Sequence, residues 1–209
     1  MATLLIIIFI ITLFYAAISV RMFTLINLLM VQGFLLFGVA FIELRELNVV
    51  NLIIILLETL VFKAFLVPYF LKRTIRQNNI KREVEPFISG VTSLLIVSVL
   101  IVLSFMLTFS LQQDFYNVIY FTVAFSAILT GLFLMVSRKK IITHVIGYVI
   151  LENGIVLLAF SVGNNMPMIV NAGILLDILV SVLLFGFFMS RIRYISKEFE
   201  ISSLSKLKD

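Results

Sequence analysis

Residues 146–160 read IGYVILENGIVLLAF and residues 169–193 read IVNAGILLDILVSVLLFGFFMSRIR, with the uncharged turn SVGNNMPM at 161–168 between them. Each of the two lies in an apolar run long enough to cross a bilayer, and each carries one acid near its middle, Glu152 and Asp177. On insertion scales a charged group at membrane depth costs about 2.5–3.5 kcal/mol, so acids placed there are read first as functional.

Outward from this stretch the whole chain has the same character. Its 209 residues are 62% hydrophobic and 13% charged, with a mean hydropathy of +1.21. A soluble domain would be about half apolar and a quarter charged, so this is an integral membrane protein. The absence of Cys and the presence of one His, His144, exclude an iron–sulfur cluster, a c-type haem and a bis-His haem within the chain. No metal-spaced His/Cys set, phosphate-cradling loop or nucleophile elbow occurs, so no metal or cofactor is expected. The N-terminal MATLLIIIFIITLF has no positive segment before its apolar run and reads as a mature helix rather than a cleaved signal.

The expected fold is all-α: a polytopic membrane protein with seven transmembrane helices, near 3–20, 23–41, 49–71, 87–111, 118–136, 141–162 and 168–189. Loop charges orient them. Arg21, the cluster Lys72, Arg73, Arg76, Lys81 and Arg82, the trio Arg138, Lys139 and Lys140, and the basic tail all fall on one side. The positive-inside rule then sets the N-terminus outside and the C-terminus inside. The net charge of +5 is therefore a sidedness signal toward anionic lipid, and no nucleic-acid partner is needed to explain it. Tyr15, Tyr69, Tyr116, Tyr120 and Tyr194 lie near helix ends, as interfacial anchors do.

The chain also repeats itself. VVNLIIILLETLV at 49–61 matches IVNAGILLDILV at 169–180 with one gap, and Val31-Gln32-Gly33 corresponds to Leu151-Glu152-Asn153-Gly154. Two parallel three-helix repeats joined by an extra helix follow. The divisions are 1–71, the basic loop and linking helix at 72–117, the second repeat at 118–190, and a tail at 191–209.

The candidate proton-transfer residues are Glu152, Asp177, Glu58, Lys63, His144 and Tyr148. The alternative for the acids is structural: they pair with cations on neighbouring chains and hold helices together. Lys63 and Glu58, five apart, would lie about 140° round a regular helix, and Lys63 either serves the site or snorkels to the inner surface. Pro68, one turn on, removes a backbone bond at Ala64 and is expected to kink its helix. His144, Tyr148 and Glu152 recur every four residues on one stripe. That stripe is either a proton-entry line or an interfacial His near Lys140 followed by an isolated Tyr. Gly147, Gly154, Gly173 and Gly186 are read as sites of close helix packing.

These residues resemble the small K-type membrane component of bacterial complex I and the C-type component of multisubunit cation/proton antiporters. Two such units in one chain resemble the hydrogenase-4 component E family. The resemblance implies a non-catalytic membrane-arm subunit of a hydrogenase or formate hydrogenlyase-type complex, without a redox centre. It would sit in the cytoplasmic (inner) membrane beside antiporter-like and quinone or hydrogenase-module subunits. By the same resemblance Glu152 and Asp177 match the paired intramembrane acids of the K-type component. Glu58 matches the second acid in the first copy, and Gln32 replaces the first. An antiporter subunit and a purely structural anchor are the other readings.

Overall fold

The computed structural model describes residues 2–43, 58–77, 86–111 and 117–162, and the side chains of Glu43, Glu58 and Gln77 are outside that description. Asp177, the seventh apolar run and the basic tail also lie outside the described residues. Among those described the regular elements are all helices: α1 (Ala2–Ile18), α2 (Met22–Glu43), a π-helical segment (Glu58–Leu66) continuing into α3 (Val67–Gln77), α4 (Gly90–Leu111), α5 (Val118–Ser137) and α6 (Ile141–Val162). Four of these (α2, α4, α5 and α6) are long and apolar enough to cross a membrane, and α1 is a shorter apolar helix. The described helices are those of a membrane-embedded protein, and the seven-span count reaches beyond them.

Burial follows lipid rather than water. On α4 the buried positions are Ser93, Val97, Ser104 and Thr108. The same helix exposes Val91, Leu95, Val99, Val102, Met106 and Phe109. Small polar residues inside and bulky apolar ones outside reverse the soluble pattern and suit helix contacts within a bilayer. The hydroxyls close on themselves: Thr108 and Ser104 donate to carbonyls four residues back, and Thr122 Oγ1 of α5 lies 3.1 Å from Thr108 Oγ1.

The most intimate helix pair is α5 with α6, and glycine makes it possible. A Cβ at Gly131 would stand 2.6 Å from the Gly147 carbonyl and 2.7 Å from the Leu151 nitrogen; one at Gly154 would stand 2.9 Å from the Ala124 carbonyl. Gly147 and Gly154 thus pack as the sequence predicts, with Gly131 as their counterpart. Gly33 plays a similar part elsewhere, since its Cβ would lie 2.7 Å from the Ala64 nitrogen in the π-helical segment.

That segment departs from expectation. In regular α-winding the Pro68 ring would meet the Ala64 carbonyl, and the chain instead reaches Pro68 through wide turns that end at Leu66. The wider π turn brings positions 58 and 63 closer together round the axis than the roughly 140° of α-winding. A second departure is Tyr120. Its place near a helix end suggested an interfacial anchor, but it is 4% exposed and packed in the core, whereas Tyr15 and Tyr69 are 55% and 60% exposed.

One end of the bundle gathers the basic turns. The Arg138 guanidinium is 3% exposed and donates through Nη2 to the Ala17 carbonyl at 2.8 Å, a cation closing the C-terminus of α1. Burial lowers its pKa from the ordinary arginine value, though a guanidinium keeps its proton in proteins. The Phe87 nitrogen donates to the Ser137 carbonyl at 2.9 Å, and Lys139 Nζ lies 5.1 Å above the Phe87 ring. The turn at 137–139 therefore joins three chain segments at this end of the bundle.

Gly131→Leu should cost about 1–3 kcal/mol, because neither facing backbone atom can retreat. Thermal unfolding in detergent, followed by helical circular dichroism, checks this. Gly90→Ala, whose Cβ meets nothing nearer than 4.0 Å, should stay within about 0.5 kcal/mol of the unaltered chain.

Candidate functional site in the bundle core

A line of hydrogen bonds crosses the bundle through four helical elements. Lys63 Nζ donates to Asn153 Oδ1 at 3.3 Å, and Asn153 Nδ2 donates to Gln32 Oε1 at 3.1 Å. Gln32 Nε2 donates to Thr12 Oγ1 at 2.9 Å, and Thr12 Oγ1 donates to the Phe9 carbonyl at 2.6 Å. Every donor points the same way, from the ammonium on the π-helical segment to a backbone carbonyl of α1. Exposure is 1% for Lys63, 0% for Gln32 and Asn153, and 7% for Thr12.

Depth follows from the helix rise. Gln32 lies ten residues into α2 and Asn153 twelve into α6, so both are about 15–18 Å from the basic end of the bundle. That is mid-membrane for a hydrocarbon core about 30 Å thick. The Lys63 ammonium is turned inward to this level, and the snorkelling alternative is set aside. Snorkelling needs a side chain at the lipid surface, and Gly33 has drawn this part of the third helix against α2 instead.

Glu152 is 3% exposed and precedes Asn153 on α6. Successive α-helical residues stand about 100° apart, so the acid and the amide face different neighbours. Both are buried because α6 is covered by α5 on one side and α2 on another. Of the other stripe residues, His144 is exposed with Nδ1 2.8 Å from the Lys140 carbonyl, and Tyr148 is half-buried. The stripe thus runs from the basic end toward the core, with His144 at the basic end. Asp177 and the Glu58 side chain lie outside the described residues. Among the described residues no group of three His, Cys, Asp or Glu side chains could hold a metal ion.

Two members of the line, Asn153 and Thr12, carried no role in the sequence reading. A signal for Asn153 was present. Aligning the two units on Gly33 and Gly154 sets Gln32 opposite Asn153, and those are the two amides that meet between α2 and α6. Thr12, one of several apolar-run threonines, had no such signal.

The uncharacterized protein Rv0085 of Mycobacterium tuberculosis is 30% identical to this chain over 161 residues, which is 76% of this chain and 73% of the mycobacterial one. The chain belongs to that protein's family. No family model and no solved structure matches the chain.

The two ends of the line differ in what a deletion leaves behind. Asn153→Leu takes an acceptor from the Lys63 ammonium and a donor from the Gln32 carbonyl together. Thr12→Val removes only the last hydroxyl, at the α1 end. Since weakening the support of a buried charge is the costlier loss, Asn153→Leu should destabilise by roughly 3 kcal/mol and Thr12→Val by about 1 kcal/mol. Equilibrium unfolding of both variants in mixed micelles checks the order.

Proposed function

We propose that the chain is a non-catalytic membrane-arm subunit of a respiratory hydrogenase-type, complex I-related assembly. Its intramembrane carboxylates take part in proton translocation or couple it to redox chemistry in other subunits. The observation that carries this reading is the burial of Glu152 at mid-depth, one residue from an amide that grips the Lys63 ammonium. Desolvation opposes ionisation of a carboxyl in such a place, while a cation nearby favours it. A change in the distance between them changes proton occupancy, which is the means by which a remote event is coupled to transfer. Glu58 and Asp177 supply further carboxyls, and His144 and Tyr148 lead toward Glu152 from the basic end. The assembly sits in the cytoplasmic membrane with the chain's N-terminus outside.

The hydrogen-bonded line also favours a second reading, in which these polar residues hold the bundle and its partners together without moving protons. An antiporter subunit is the third reading; its acids would serve the same proton chemistry with a different coupled ion.

Glu152→Gln separates the first reading from the second. It keeps size and hydrogen bonding but cannot ionise. On the proposed reading the assembled complex still passes electrons to an artificial acceptor while proton uptake into vesicles falls at least tenfold. Normal proton uptake would contradict the role, and failure to assemble would favour the structural reading.

A further inference from the structure

The third helix carries, on its outer side, an apolar groove that runs into a cationic cleft. The groove, about 390 Å³, is lined by Met30, Val61, Phe65, Leu66, Tyr69 and Lys72. The cleft, about 340 Å³, is lined by Tyr69, Lys72, Arg73 and Arg76. Tyr69 and Lys72 belong to both, so the two cavities adjoin at the level where the helix leaves the apolar layer.

Sequence spacing accounts for the arrangement. Val61, Phe65, Tyr69 and Arg73 follow at steps of four, and Lys72 and Arg76 are four apart. α3 buries Val67, Leu71 and Ile75 against the bundle, which turns Tyr69, Arg73 and Arg76 outward. Phe65 and Tyr69 are 50% and 60% exposed. Phe65 also meets Phe34 of α2 edge-to-face at 5.4 Å, so the groove has a wall formed by two helices. Lys72 Nζ lies 3.5 Å from Met30 Sδ, which places the ammonium over the neck between groove and cleft. A thioether is a weak acceptor, and an anionic oxygen there would be a far better one.

We propose that this is a binding site for one anionic phospholipid of the inner leaflet. An acyl chain lies along Val61, Phe65 and Leu66, and the phosphodiester is held by Lys72, Arg73 and Arg76 with Tyr69 at the boundary. Charge complementarity selects the occupant. Three cations within two helical turns, at the mouth of an apolar groove on the basic side, match a negative head joined to a long apolar tail. From Tyr69 to Arg76 along α3 is about 10 Å, the span of a headgroup layer rather than of a free phosphate ion. These cations, read from sequence as topology markers, thus also form a site, which stands independently of the proton-transfer proposal.

The full chain, delipidated in neutral detergent and titrated with phosphatidylglycerol or phosphatidylcholine under native mass spectrometry, tests the site. Phosphatidylglycerol should bind at least fivefold more tightly, and Lys72→Gln/Arg73→Gln/Arg76→Gln should abolish the preference, each cation being worth roughly fivefold. Lys139→Gln/Lys140→Gln, which removes basic charge elsewhere on the same side, should keep it. Val61→Trp, which fills the groove and leaves the cations, should weaken phosphatidylglycerol severalfold. Millimolar glycerol 3-phosphate should not displace the lipid. Equal binding of the two lipids overturns the proposal. So does an equal loss in the Lys139/Lys140 variant, which means general surface charge, or displacement by glycerol 3-phosphate, which means an anion site without a role for the groove. If the triple variant loses its helical signal, Arg76→Gln alone carries the test, with an expected loss of roughly fivefold.

Discussion

The Asn153 side chain meets the constraint on which the bundle depends: at mid-membrane depth no polar group can be left to water. It accepts from the Lys63 ammonium and donates to Gln32, so one amide serves the third helix, α2 and α6 at once. With α1 added through Thr12, four elements are placed by a single directional line. Apolar side chains give little preference for one helix partner over lipid, and it falls to such bonds and to close glycine contacts to set the arrangement.

Glycine and amide work at the same levels. Gly33 lies beside Gln32 and Gly154 beside Asn153, and each removes the side chain that would keep the neighbouring helix away. Their partners differ: Gly33 faces the π-helical segment, and Gly154 faces α5. The same pair of residue types thus serves different neighbours, and the two amides meet between α2 and α6.

The helices were legible in the sequence because a bilayer leaves the backbone one solution, and apolar runs of the right length mark it. The gathering of the basic turns at one end was legible from loop charge, though the bond from Arg138 to the Ala17 carbonyl was not, since it joins residues 121 apart. The burial of Glu152 followed from its place in the run. The fate of Lys63 could not follow from one helix, because inward and snorkelling lysines share a sequence, and the choice is made by the close approach of Gly33 to Ala64. Tyr120 misled for a related reason: position near a helix end says nothing about which side of the helix a neighbour will cover. The π-helical winding before Pro68 was beyond a reading built on 3.6 residues per turn, and it realigned positions 58 and 63.

The whole polar line depends on the Lys63 ammonium staying in the core. Solid-state nuclear magnetic resonance in bilayers can read this directly, through the dipolar coupling between the Lys63 side-chain nitrogen and the Asn153 side-chain carbonyl carbon. An inward Lys63 predicts a strong correlation between these two nuclei that disappears in Asn153→Ala. A Lys63 nitrogen coupled instead to lipid phosphorus would place the ammonium at the headgroups and contradict it.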